Sequence, residues 1–333
     1  MTDHPSSGPA PSLPGSGGGF TPNPAGSLPP GRGDYLPMAD RPPVTWPDGA
    51  RVAFWIAPNV EHYEYLPPRN PQRNPWVRSP HPEVQGYSQR DYGNRVGFWR
   101  MLDVLDKHQT RCTVSLNLAV FEHFPQIGAA MMERDWEVMS HGIYNTRYLN
   151  AMTEDEEREF LRDTIETTLR HTGKPLKGML APAVGNNFHT PDLMAEAGLL
   201  YHADWMHDDQ PVPLHVRSGR LISVPYSVEL NDVPVFLNHT SAADFVAIVK
   251  GQFDTLYQEG ADSGRVMCLA IHPYLMGTPQ RARYLEEILD YVNSHDQVWH
   301  TTAGDIAEHF LQHNYDQFVA HAAQLSVSSG GGA

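Results

Sequence analysis

Cysteine is nearly missing from this chain: Cys112 and Cys268 are its only two. A disulfide framework or a cysteine-based zinc module needs more of them, at closer spacing. Each sits in a run that reads as a buried strand, where a thiol packs as a small apolar group. Positive charge is short as well. Lys and Arg number 24 against 39 Asp and Glu, a net charge of −15, and no basic cluster interrupts that balance. Nucleic-acid binding rests on neutralising phosphates, so nucleic acid is not expected as a partner. No apolar run approaches the length of a membrane span. The first residues have neither the charged start nor the apolar stretch of a secretory signal. A cytoplasmic protein with no membrane partner is expected.

What is present points to one large folded unit. Hydrophobic residues make up 40% of 333, enough for a sizeable core. Residues 1 to about 43 are dominated by Pro, Gly and Ser; such a stretch cannot offset its ordering entropy and is expected to be disordered. Residues 326–333 look the same, which leaves 44–325 as a single domain. Within it, apolar strands alternate with amphipathic helices. RVAFWIAPN at 51–59 suits a strand covered on both faces. Strands are also expected over 112–120, 136–140, 176–182, 199–205, 221–229 and 265–272. Thr153 and Glu156 form a capping box for a long helix that Gly173 and Pro175 end. Ser241 caps another helix through Tyr257, and 281–293 is amphipathic. This α/β alternation argues for parallel units in one sheet, of which seven or so could close into a barrel. A long connection at 66–90, rich in Pro, Arg and Asn, carries Arg69, Arg73 and Arg78.

Chemistry in such folds collects where strands end. Glu61 and His62 follow the first strand, and His141 follows the third in Ser-His-Gly. Asp204, His207, Asp208 and Asp209 follow the strand at 199–205. Glu229, Asn231 and Asp232 follow the next, and His272 ends the strand at 265–272. The 18 histidines add weight to a proton-transfer or metal site. Hydrolysis of an amide needs a base for water, a stabiliser for the oxyanion and an acid for the departing nitrogen. Carboxylates and histidines at one mouth supply two of the three. His62 reads equally well as a loop histidine, and 207–209 as a solvated loop.

The order of an apolar strand ending Asn-x-Glu, then Ser-His-Gly, then a late His-Pro resembles the polysaccharide deacetylase (NodB-homology) superfamily. GNRVGFWR at 93–100, PYSVELND at 225–232 and SHDQVW at 294–299 are similar to its branch of allantoinases and cyclic imide hydrolases. The resemblance spans about Pro47 to Phe310. It implies a distorted (β/α)7 barrel, with Glu61 as catalytic base and His272 as general acid. It puts His141 in the place of the first ligand histidine and Asn145 in that of the second. His62 stands where metal-dependent members keep a ligand aspartate. Glu229 and Asp232 fall in the segment that shapes the substrate site. The arginine that orients the family's base is replaced, at Ala183. The resemblance thus implies either one divalent metal ion such as zinc, held by His62 and His141, or no metal. It also implies a homo-oligomer. The activity expected first is hydrolysis of a non-peptide carbon–nitrogen bond in a small-molecule cyclic amide or ureide, with Asn145 hydrogen-bonding the carbonyl oxygen. The alternatives are a metal-dependent N-deacetylase of acetylated sugars and a catalytically silent binding protein on the same barrel.

Overall fold

A computed structural model of the chain describes residues 31–68, 81–150 and 152–330, with side chains to residue 325. Its centre is β1, Val52–Val60, in which every residue is buried. A strand alternates its side chains between two faces, and here each face meets a core. Val52, Phe54 and Ile56 face the helix layer, while Ala53, Trp55 and Ala57 face the interior of the barrel. The strand Arg265–Ile271 repeats the pattern: Met267, Leu269 and Ile271 point to the helices, and Val266, Cys268 and Ala270 to the interior. Small residues on the interior face leave room for Trp55, whose indole donates to the Pro225 carbonyl at 3.2 Å.

The remaining strands are β2 (Thr113–Leu116), β3 (Glu137–Ser140), β4 (Gly178–Met179), β5 (Tyr201–His202), β6 (Val212–Leu214), β7 (Leu221–Ser223), β8 (Arg265–Ile271) and β9 (Val298–His300). Neighbours run in the order β7-β5-β4-β3-β2-β1-β8, all parallel, with β6 antiparallel on the β7 edge. β9 lies parallel beside the first residues of β1. These seven parallel strands with helices packed outside form a distorted (β/α)7 barrel. The strands at β4, β5 and β7 are shorter than their apolar runs suggested, because the chain leaves the ladder into turns such as Pro182–Val184.

The helices follow from their caps and stripes. Thr153 and Glu156 make the expected reciprocal cap of Glu154–Thr172, which ends at Gly173 in the left-handed region, φ 69°. Phe245, Val249, Phe253 and Leu256 of Ala242–Glu259 pack with Leu285, Ile288, Leu289 and Val292 of Ala282–Asn293. Both cysteines are free and buried.

Three expectations change. The expected disordered tail gives way to placed chain well before residue 43. Arg32 bonds both carboxylate oxygens of Asp192, and Arg41 both of Asp208, so this segment is tied down by bidentate ion pairs. Residues 1–30 lie outside the described ones. At the other end the helix Tyr315–Gly330 continues through the stretch expected to be flexible, and 331–333 lie outside the described residues. The connection at 66–90 contains a helix, α1 (Val84–Tyr92), capped by Glu83, whose carboxylate accepts from the Gly86 amide at 2.9 Å. Arg69, Arg73 and Arg78 fall outside the described residues.

From α1 the chain passes through a wide turn of π-helix, Gly93–Gly97, into α2, Phe98–Lys107. Gly97 is pressed against the segment after β8: a Cβ there would lie 2.0 Å from the Pro273 carbonyl oxygen. Backbone cannot yield as a flexible side chain can. Gly97→Ala is therefore expected to destabilise the fold by about 1–3 kcal/mol through overpacking. A thermal melt of the variant reads this directly, and an unchanged midpoint would contradict the contact.

Candidate active site

The side chains at the strand ends continue the alternation of the strands. On β1 the interior positions are 53, 55 and 57, so 59 and 61 follow inward and 62 follows outward. On β8 the same count sends His272 inward after Ala270. On β3 Met139 faces the interior and His141 follows it. His141 extends the ladder, its amide donating to the Leu116 carbonyl at 2.8 Å. Gly142 then turns the chain at φ 70°, where a side chain would also meet Pro182 at 2.8 Å. That is the physical content of Ser-His-Gly. Asn117 fastens the ends of β1 and β3 together: its carbonyl oxygen accepts from the His62 amide at 2.8 Å and its amide donates to the His141 carbonyl.

Glu61, His141 and His272 thus meet in one buried cluster, each only 5–6% exposed. Glu61 Oε1 lies 3.4 Å from His272 Nε2 and 3.9 Å from His141 Nε2. Glu61 Oε2 accepts from Arg90 Nε at 2.8 Å. Arg90 comes from α1 and was not expected from the sequence. Its guanidinium carbon sits 4.1 Å from the ring centroids of both Tyr63 and Tyr274. Nη2 donates to the two phenol oxygens, at 3.1 and 3.0 Å. Asn94 completes the seat, donating from Nδ2 to the Glu61 backbone carbonyl at 3.0 Å.

Behind His272 stands Asp232, wholly buried. Its Oδ1 meets His272 Nδ1 at 2.7 Å and its Oδ2 accepts from the His272 amide at 2.9 Å. Both oxygens bond His272, so this carboxylate fixes and charges the imidazole. Glu229, three residues earlier, is exposed and accepts from Ser227 Oγ at 3.3 Å. It is not brought to the cluster.

These contacts set the protonation states. Burial would raise the Glu61 carboxyl, but the Arg90 charge, then the His272 hydrogen bond and the charges of His272 and His141, outweigh it. Glu61 is held well below the usual carboxylate range. Burial pulls His272 down, yet Asp232 and then Glu61 bring it up to about 9. His141 is lowered, chiefly by burial. Its Nδ1 lies 2.7 Å from the Leu180 carbonyl, which leaves Nε2 as the free ring nitrogen facing Glu61. At neutral pH the cluster holds an anionic Glu61, a cationic His272 and a neutral His141.

A curated Schizosaccharomyces pombe protein of the polysaccharide deacetylase group is 30% identical over 243 residues, 66% of this chain and 73% of that protein. The chain belongs to the polysaccharide deacetylase family. The family's sequence model, polysaccharide deacetylase, matches residues 87–202. A peptidoglycan deacetylase of Helicobacter pylori is 25% identical over 67% of this chain and 86% of its own length. The crystal structure of PuuE allantoinase superposes with a TM-score of 0.72 at 26% identity, covering 83% of this chain and 96% of that one. Membership makes this polysaccharide deacetylase homologue a hydrolase acting on carbon–nitrogen bonds other than peptide bonds.

The resemblance implied a metal ion held around His62, His141 and Asn145; in the structure His141 faces the cluster and His62 does not. His62, on the outward parity, packs with His123 (centroids 4.6 Å), Phe124 and Tyr144. Burial, then His123, lowers it to about 4. Asn145 is buried; its amide nitrogen on the backbone donates to the His62 carbonyl, and its side-chain oxygen has no hydrogen-bond partner. His141 offers one nitrogen, and it faces the carboxylate that Arg90 already holds. Among the described residues no group of three or more His, Cys, Asp or Glu side chains is arranged to hold a metal ion. The donor set found here, with His62 turned toward His123 and Phe124, does not fit one. Among them, too, no helix is long and apolar enough to cross a membrane.

Outside the cluster, Asp208 pairs with Arg41, and Glu64 with Thr146 and Arg147. The Asp232 contact carries a direct prediction. In Asp232→Asn the raised His272 should fall back from about 9 toward the ordinary histidine range near 6.5. Histidine ring resonances followed through a pH titration report it; a value that stays near 9 would remove Asp232 from this role.

Proposed function

We propose that this chain hydrolyses the amide bond of a small cyclic amide or ureide, by an acid and a base made of its own side chains. The observation that carries this reading is the line Asp232–His272–Glu61–Arg90, which presets one carboxylate and one imidazolium side by side. Water bound against Glu61 Oε1 and His141 Nε2 would donate to both acceptors, whose 3.9 Å separation suits such a bridge. Glu61 takes a proton as the water oxygen bonds to the substrate carbonyl carbon. His272 gives its Nε2 proton to the nitrogen as the carbon–nitrogen bond breaks. The proton on Glu61 then returns to His272 across 3.4 Å, and both groups are restored. The charges that keep Glu61 ionised make it a weak base. Once His272 has given up its proton it is the stronger base of the two, and it draws the proton back from Glu61.

Asn145, the other group expected at the substrate, has an unpartnered amide oxygen and the chemistry to bond a ureide N–H. The likeness to PuuE allantoinase over nearly all of that chain supports a cyclic ureide. A second reading, removal of an N-acetyl group from an amino sugar, draws on the Helicobacter pylori peptidoglycan deacetylase. The bond broken is an amide in both.

Glu61→Gln should lower turnover by about 10³-fold, within the range of general-base losses, while leaving the melting temperature close to wild type. Allantoin, succinimide and an N-acetylglucosamine oligomer serve as probes; full activity of the variant on any of them would end the role given to Glu61. The rate should also be pH-dependent in one direction. It falls as pH rises through about 9, where His272 loses the proton it must donate. A profile flat to pH 10.5 would exclude His272 as the acid.

A further inference from the structure

The seat of Arg90 is built by the same segments that deliver the proposed acid and base. Tyr63 follows Glu61 by two residues, and Tyr274 follows His272 by two. Each strand end therefore places one reacting group and, two positions on, one aromatic wall. The helix α1 lays Arg90 between the walls, and the wide turn Gly93–Gly97 holds α1 against Pro273 and Tyr274. The guanidinium carbon lies 4.1 Å from both ring centroids, and Nη2 is spent on the phenol oxygens. Nη1 reaches Gln89 Oε1 at 3.4 Å, and Nε donates to Glu61 Oε2. The side chain is 13% exposed, so its charge acts through little water. A guanidinium keeps that charge at every accessible pH, and its planar fork fits a stacked site as an ammonium does not.

We propose that Arg90 is the positioning residue of this site, supplying as a fixed guanidinium the positive charge that metal-dependent members of the family supply with an ion. This rests on the hydrolase reading above. With Arg90 on one Glu61 oxygen and the His272 imidazolium on the other, the carboxylate is already compensated from both sides.

The full-length chain tests this with Arg90→Gln and Arg90→Lys, each checked for folding by circular dichroism. The readout independent of turnover is the Glu61 carboxyl, followed by carbon-13 resonance through an acid titration. In wild type it stays ionised below the usual carboxylate range; in Arg90→Gln it should titrate within or above it. Turnover of the three probes should fall about 100-fold or more in Arg90→Gln, acquire an acid limb, and recover in part with millimolar guanidinium ion. Arg90→Lys keeps the charge without the fork, so Glu61 should stay ionised while the rate drops. Wild type dialysed against a chelator should retain its rate, and added zinc should not raise it. An unchanged Glu61 titration in Arg90→Gln overturns the proposal, as does a rate lost to the chelator and restored by zinc. If wild type turns over none of the probes, the hydrolase reading fails, and the carboxyl titration still decides Arg90. If Arg90→Gln does not fold, Arg90→Lys decides alone: wild-type turnover would overturn the proposal.

Discussion

A carboxylate removed from water at the end of a barrel is unfavourable unless charge of the opposite sign reaches it. Here two cations do, Arg90 at 2.8 Å from one Glu61 oxygen and His272 at 3.4 Å from the other. Neither is free to choose another partner. Arg90 is held between two aromatic rings, and His272 is bound at its other nitrogen by Asp232. The wall tyrosines, the tight approach at Gly97 and the buried Asp232 can all be understood as support for this one pairing. Loss of either cation would leave Glu61 under-compensated, whereas loss of both would favour its neutral form.

The arrangement also divides labour between acid and base without requiring either to be unusual in kind. Burial alone would drive Glu61 up and His272 down, toward two neutral groups. The local charges reverse both shifts and separate the pair. The result is a proton donor and a proton acceptor in adjacent positions over a wide span of pH. His141, with a backbone carbonyl on one nitrogen, stays neutral and offers the other to a donor.

Family membership fixes the barrel and the kind of bond acted on, and the departures from the family's pattern all lie at the charge of the site. Asn145 and His62, expected from the resemblance at ligand positions, do not join a ligand set with His141. Taken singly these look like losses. In the folded chain they coincide with an arginine from a different element, so one electrostatic requirement is met by other means.

Much of this was legible in the linear chain. The apolar runs marked the strands, the capping box and Ser241 marked helix starts, and the residues just past the strands included Glu61, His141 and His272. The opposite orientation of Glu61 and His62 was not legible: both were expected at one mouth, and the folded chain turns His62 toward His123 and Phe124. What the chain could not reveal was who meets whom from distant elements. Arg90 lay at the margin of what read as a loop, since α1 has no buried apolar stripe to announce it. Asp232 read as a residue of the substrate pocket, because nothing in its neighbours says that His272, forty positions on, would take both its oxygens. Periodicity along the backbone determines which face a side chain occupies; only the packing of helix against strand end decides which charges lie within hydrogen-bond reach, and those distances set the chemistry.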